Sequence, residues 1–383
     1  MTEISCTSWI LDSKLSAGNG FSGNGLVPDL LKNAIEDGLA VRCRQKLATE
    51  LQQQDEDKFP EIGKASSNAV EAYDDPRESK ENAEEGTEVC YVDSHGRWSV
   101  CHFSVLPKWL QDNDFLLNGH RPPLRSFKAC AGSIFRMHTE TGNIWSHLIG
   151  ALMFACTGFG FLSSHPMAFS EQLAFAVFFM CVFTCFFTST LYHTMHCHSM
   201  RVSRVFSRLD YCGIISIVAG CFTPWIHFLF WCSPRIKLCY MALGYTLCAL
   251  TVNLTMWEKF GRSHYRSLRA AVFTGLGVSC SILPGIHFVL VHGLRTAFVD
   301  LAFGWLFVMS AVALLGVALY ALRIPERFVP GKFDIMCHSH QFFHIAVIVG
   351  AYVHLHCLCQ MARFRLGEGA ICPADLDEMQ VFF

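Results

Sequence analysis

Ser339-His340-Gln341-Phe342-Phe343-His344-Ile345-Ala346-Val347-Ile348-Val349-Gly350 opens the last long apolar stretch of the chain. It reads as a helix entering a hydrocarbon phase, because its apolar residues run on without the period-2 alternation of a barrel strand. Its two histidines stand four apart, so they share one helix face and aim at one point. The same spacing occurs at Ser189 and His193, where an earlier apolar stretch ends, and Asp210 opens the stretch after that. Histidines, a carboxylate and a hydroxyl at the ends of membrane helices suggest a metal site.

Working outward, runs of about 20 apolar residues, enough to cross ~30 Å of hydrocarbon, fall near 144–163, 172–192, 209–231, 236–256, 270–291, 299–321 and 340–360. The chain of 383 residues is 52% hydrophobic and only 16% charged, which sets it apart from ordinary soluble enzymes. The predicted fold class is an all-α membrane protein, a seven-transmembrane helix bundle. The net charge of -2 carries little information, but its distribution does. Arg121, Arg125, Lys128, Arg136, Arg201, Arg204, Arg208, Lys259, Arg262, Arg266, Arg269, Arg323, Arg327 and Lys332 flank the runs on one side. Only Arg235, Lys237, Arg295, Arg363 and Arg365 flank them on the other. The bias predicts a cytoplasmic N-terminus and, after an odd number of crossings, an extracellular C-terminus, the reverse of a G-protein-coupled receptor. No basic n-region followed by an apolar h-region stands in the first forty residues, so the first crossing is expected to act as the insertion signal. Most of the nineteen cysteines fall inside apolar runs or on the cytoplasmic side, so no disulfide scaffold is expected.

Residues 1–95 combine a Gly/Asn/Ser stretch, Ala17 to Gly25, with an acidic run from Glu71 to Glu88, and are expected to be a disordered cytoplasmic tail. Leu30 to Gln54 has some helical periodicity, compatible with a transient helix or a segment that binds a partner. Residues 96–143 are expected to form a juxtamembrane segment with a short amphipathic helix near Leu106-Pro107-Lys108-Trp109-Leu110, either lying on the inner membrane surface or packed against the bundle. The seven-helix domain is expected over 144–360 and an extracellular tail over 361–383. Pro224 and Pro284 should kink the third and fifth runs. His227 and His287, three residues after each, would face a pocket or reach the outer headgroups. No nucleotide fingerprint, phosphate loop or nucleic-acid module is present, and no inverted repeat supports a transporter.

Counting crossings adds a test independent of charge. The end of the second run, the start of the third and the start of the seventh must share one membrane face, and Ser189, His193, Asp210, His340 and His344 all lie within a turn or two of it. Three histidines with a fourth position left for water form the ligand set of a catalytic zinc. Asp210 is placed to act as a general base and Ser189, one turn before His193, to orient water or a substrate oxygen. His196, His198, His338, His354 and His356 read instead as surface or hydrogen-bonded residues, and His338 points away from His340.

These residues stand inside longer stretches that resemble the progestin and adipoQ receptor family, in its adiponectin receptor branch. The matching text runs from Phe135-Arg136-Met137-His138-Thr139-Glu140-Thr141-Gly142-Asn143-Ile144-Trp145-Ser146-His147 through Ser189-Thr190-Leu191-Tyr192-His193 and Phe206-Ser207-Arg208-Leu209-Asp210-Tyr211. It continues in Arg323-Ile324-Pro325-Glu326-Arg327-Phe328, Pro330-Gly331-Lys332-Phe333-Asp334-Ile335 and Ser339-His340-Gln341-Phe342-Phe343-His344. The resemblance covers roughly residues 90–366. It implies a seven-helix fold with an inside N-terminus, Zn2+ held by His193, His340 and His344, and Asp210 and Ser189 beside the water at the metal. Cys337-His338, the interior from Cys212 to Cys221 and the tail depart from the family text without touching those positions.

The expected function is that of a multi-pass plasma-membrane protein, adiponectin receptor-like, regulating lipid metabolism through ceramidase-like hydrolysis of a lipid amide, with Asp210 and Ser189 as catalytic residues. The alternative is a non-enzymatic hormone receptor or membrane-fluidity sensor with a structural zinc. Membrane lipids (ceramide, fatty acid), an adiponectin-like extracellular ligand and a cytoplasmic adaptor on the N-terminal tail are the expected partners.

Overall fold

The computed structural model describes residues 97–261, 263–367 and 372; the expectations for the N-terminal tail, and for nearly all of the C-terminal one, lie outside them. After a short helix α1 (Phe127–Gly132), seven long helices follow: α2 (Thr141–Ser164), α3 (Phe169–Met195), α4 (Met200–Leu229), α5 (Pro234–Thr255), α6 (Arg266–Arg295), α7 (Phe303–Leu322) and α8 (Ser339–Leu366). Each of the seven is long and apolar enough to cross a membrane, and each coincides with one expected run. This is a multi-pass membrane protein built as a seven-helix bundle. Pro224 lies inside α4 and Pro284 inside α6, but the break in α6 falls nine residues beyond Pro284, at Gly293, whose φ of 85° is open to glycine alone at no cost. Local chemistry sets several ends, with Ser199 capping α4 through the Val202 N–H and Pro234 starting α5, where its missing N–H costs nothing.

Lipid chains are as apolar as leucine, so close packing and polar contacts must hold such helices together. α8 packs against α7, α2 and α4, and α4 also against α3, α5 and α6, which makes α4 and α8 the middle of the bundle. The interior is rich in aromatics, with Phe154, Phe175, Phe178, Phe186, Phe228 and Phe288 fully buried. α3 and α4 approach closely at Gly213, where a Cβ would stand 3.1 Å from the Cys185 Cα. That antiparallel approach brings Asp210, one turn before Gly213, level with Ser189, one turn after Cys185.

The juxtamembrane segment is packed. Instead of the short amphipathic helix expected it forms two single 3-10 turns, Phe103–Val105 and Lys108–Leu110, and Leu106 and Leu110 join Leu124, Cys130 and Cys197 in a small core of their own. It is tied to the loop before α8 by Asp334, which accepts hydrogen bonds from the Leu117 and Asn118 backbone (both 2.8 Å), and by the fully buried Glu326. Glu326 accepts from Asn113 Nδ2 (3.0 Å), the Ser339 backbone N–H (2.8 Å) and the Ser339 hydroxyl. A carboxylate on the first N–H of α8 satisfies an otherwise orphaned donor and complements the helix dipole.

At the opposite end of the bundle α8 runs on to Leu366, and Arg365 donates to the Phe228 (3.0 Å) and Leu229 (3.2 Å) carbonyls at the end of α4. Just beyond, Cys232 and Cys372 form a disulfide, a single cross-link among the described residues, where no scaffold was expected.

Candidate metal centre

His193 stands on the last turn of α3, and His340 and His344 on the first two turns of α8. Their ligating nitrogens all lie within 4.8 Å of one another; His193 and His344 are buried and His340 half-buried. His193 Nε2 and His340 Nε2 are 3.2 Å apart. Two nitrogens bound tetrahedrally to zinc at 2.0–2.1 Å would be separated by about 3.3 Å, so this pair has the spacing the ion requires.

The other ring nitrogens fix the protonation pattern. His193 Nδ1 lies 2.7 Å from Glu140 Oε2 and donates to it, leaving Nε2 with a lone pair. Ser146 spends its own proton on the Asn143 carbonyl (3.0 Å), so at 3.1 Å from His344 Nδ1 its oxygen accepts, and His344 Nε2 too keeps a lone pair. Asn143 Nδ2 in turn donates to Glu140 Oε2 at 2.6 Å. Burial pushes the Glu140 carboxyl up, but the hydrogen bonds it accepts from His193 and Asn143 help hold it well below the usual range. His147, buried on α2, stacks on the His344 ring with centroids 3.6 Å apart. A neutral, preoriented donor set in a low-dielectric site fits a divalent cation.

Ser189 is buried one turn before His193, and Asp210 on the facing turn of α4 lies within hydrogen-bonding reach of Ser189 and electrostatic reach of His193. All five residues singled out by spacing thus come together at one end of the bundle. On the far side of His340 its ring meets Tyr320 (5.4 Å between centroids), whose hydroxyl receives Arg269 at 3.4 Å, while the Arg266 guanidinium lies over the Tyr320 ring. Arg121 clamps the end of α3 through the His193 and Thr194 carbonyls and Ser133.

The histidines read as bystanders have other partners. His338 meets the Thr139 carbonyl (3.1 Å), His354 the Cys221 carbonyl (2.9 Å), His356 Gln360 (2.8 Å) and His196 Arg121 (3.1 Å), while His198 stacks on Phe127. Of the pair following the prolines, His287 hydrogen-bonds Tyr240 (2.9 Å) and His227 faces Glu171 at 3.7 Å. Glu140, Asn143 and Ser146 were given no role by sequence reasoning. Their signal was legible: a polar i, i+3, i+6 row opening the first spanning helix, which parity places on the same face as the histidines.

A family model described as haemolysin-III related matches residues 135–355 of the chain. Over 271 residues the chain is 46% identical to an adiponectin receptor protein of Drosophila melanogaster, covering 70% of this chain and 61% of that one. It is 43% identical over 296 residues to progestin and adipoQ receptor-like protein 1 of Caenorhabditis elegans, covering 77% and 68%. It is 31% identical over 269 residues to heptahelical transmembrane protein 1 of Arabidopsis thaliana, covering 67% and 80%. The match thus spans about three fifths of the length of the fly relative. With a family model matched over more than half its length and a relative of 43% identity covered over two thirds, the chain belongs to the haemolysin-III-related, progestin and adipoQ receptor family.

Proposed function

We propose that the protein is an adiponectin receptor-like membrane hydrolase that binds Zn2+ through His193, His340 and His344 and cleaves a lipid amide such as ceramide. The observation that carries this reading is the juxtaposition of three imidazoles, two of them with lone pairs fixed toward one point, and the Ser189–Asp210 pair beside them. Bound there, zinc supplies Lewis acidity that polarises a carbonyl and acidifies water. Asp210 accepts the proton that water loses as it adds to the amide carbon, then delivers it to the nitrogen as the C–N bond breaks, giving a fatty acid and a sphingoid base. Ser189 holds Asp210 and water in register, and Arg266 and Arg269, packed on Tyr320 and partly offset by the Asp112 carboxylate paired with Arg266, favour the carboxylate product.

The reading includes a plasma-membrane location with a cytoplasmic N-terminus, supported by the Lys/Arg bias and by the disulfide at the end of the bundle away from the histidines, where an oxidising exterior would preserve it. The first residues would serve a cytoplasmic adaptor, and an adiponectin-like ligand would engage the exterior, as the relatives' names suggest. One observation favours a second reading, a receptor or bilayer sensor with a structural zinc: the histidines tie α3 to α8 just where α2 also meets them, so an ion would act as a rivet.

The test is zinc-loaded protein in detergent supplied with ceramide, its products read by mass spectrometry, with Asp210→Asn as the partner. Fatty acid release that falls at least about 100-fold in the variant while zinc stays bound supports the base role. Equal turnover by both refutes it, and zinc without any product in wild type supports the structural reading.

A further inference from the structure

Glu140, the residue that precedes α2, and the first two turns of that helix contribute none of the three imidazoles, yet two of the three rest on them. Glu140 accepts the His193 Nδ1 proton at 2.7 Å and Ser146 accepts the His344 Nδ1 proton at 3.1 Å. Asn143 joins the two, through its side chain to Glu140 (2.6 Å) and its carbonyl to Ser146 (3.0 Å). The row runs from the N-cap residue of α2 into its first two turns, and it reaches the histidines because Gly142 lets α2 close on α8. A Cβ at Gly142 would collide with the amide of Gln341, which is itself fixed by the Ile335 carbonyl (2.8 Å) and the Cys337 N–H (2.6 Å). His147, the next residue, sets the plane of the His344 ring by stacking.

Resting on the metal-site reading above, we propose that Glu140 and Ser146 are positioning residues that select the Nδ1–H tautomers of His193 and His344, orient both rings, and so set the affinity of the centre. Imidazole can carry its single proton on either nitrogen, and a ring with the proton on Nε2 cannot ligate from that atom. A carboxylate can only accept, and the Ser146 hydroxyl accepts while it donates to the Asn143 carbonyl, so both favour the proton on Nδ1. Glu140 adds a second effect. Together with Asp210 it places two carboxylates against three neutral imidazoles, which matches the charge of a divalent ion and disfavours a monovalent one. His340 has no place in this row. Its ring packs on Tyr320 and Phe343, so its orientation comes from aromatic contact.

The experiment uses the full chain in detergent and measures zinc affinity by chelator competition, alongside the visible spectrum of the Co2+-substituted protein. Glu140→Gln keeps the shape but can present an amide donor to the ring; Ser146→Ala removes the acceptor and Ser146→Thr restores a hydroxyl. Glu140→Gln is expected to weaken zinc about 10–100-fold and to change the cobalt spectrum. Ser146→Ala should weaken it several-fold and Ser146→Thr should recover it, with thermal stability of the metal-free proteins unchanged throughout. Wild-type affinity and an unaltered cobalt spectrum in both Glu140→Gln and Ser146→Ala overturn the proposal. So does an affinity loss in Ser146→Ala that threonine does not recover. If Glu140→Gln does not fold, the Ser146 pair decides alone. A wild-type protein that takes up neither Zn2+ nor Co2+ overturns the metal-site reading itself, an outcome distinct from these.

Discussion

Replacing Glu326 by Ala should unfold the entry of α8 and weaken the metal centre at once, although Glu326 touches none of the three histidines. Its carboxylate is fully buried and accepts from the Ser339 N–H, the Ser339 hydroxyl and Asn113 Nδ2. The hydroxyl can rotate to another partner, but the backbone N–H and the Asn113 amide are left as buried donors, each costing about 1–3 kcal/mol. Loss of the carboxylate from the α8 N-terminus adds about 0.3–1 kcal/mol, and relief of the desolvated charge offsets part of the sum. A net loss of about 2–4 kcal/mol follows, which in a domain of this size lowers Tm by about 5–15 °C. Because His340 is the residue after Ser339, fraying there also displaces a nitrogen of the centre. Thermal unfolding in detergent, with zinc and with chelator, should therefore show a larger deficit with zinc, since part of the ion's linkage energy disappears. Glu326→Gln should fall between, keeping one acceptor and losing the charge. A Glu326→Ala Tm within about 2 °C of wild type under both conditions would refute the reasoning.

Two further outcomes are expected beside the Asp210 and Glu140/Ser146 experiments. Burial, and then Arg121, push the His138 imidazole from 6.5 down to about 3, so its neutral form is the folded one: the stability it contributes is complete above pH 6.5 and drains away as pH falls toward 3. Between pH 7 and 5 metal-free protein should lose about 1–2 kcal/mol through this group. His138→Asn, which does not titrate, should flatten the Tm–pH curve, and an unchanged slope sinks the assignment. Non-reducing digestion should yield a peptide joining Cys232 to Cys372 that disappears on reduction, and in cells the thiol freed by Cys372→Ser should react with a membrane-impermeant reagent added outside. Labelling only after permeabilisation would reverse the orientation proposed.

The seven crossings needed no tertiary information. Apolar run length against bilayer thickness is a local property, and each expected run has its helix; the bounds differ by a few residues at most ends, and polar caps such as Ser199 and Glu326 let α4 and α8 begin before the first apolar residues. Crossing parity put Ser189, His193, Asp210, His340 and His344 on one face, since an i, i+4 pair faces one way and an even number of crossings returns to the same side. The distance between those faces was beyond the sequence. It depends on how far each helix is rotated and how closely α2, α3, α4 and α8 approach, which Gly142 and Gly213 decide through contacts with residues far along the chain. The same holds for the row Glu140, Asn143, Ser146, whose spacing is visible in the text but whose partners are not, and for the juxtamembrane segment held by Glu326 and Asp334 across more than two hundred residues. Periodicity and length gave the number of helices, their order and the membrane face of each candidate residue, because those follow from neighbours in sequence. Which nitrogen carries a proton, which cysteines meet and how near the imidazoles stand were decided by tertiary packing alone, because each is a contact between helices.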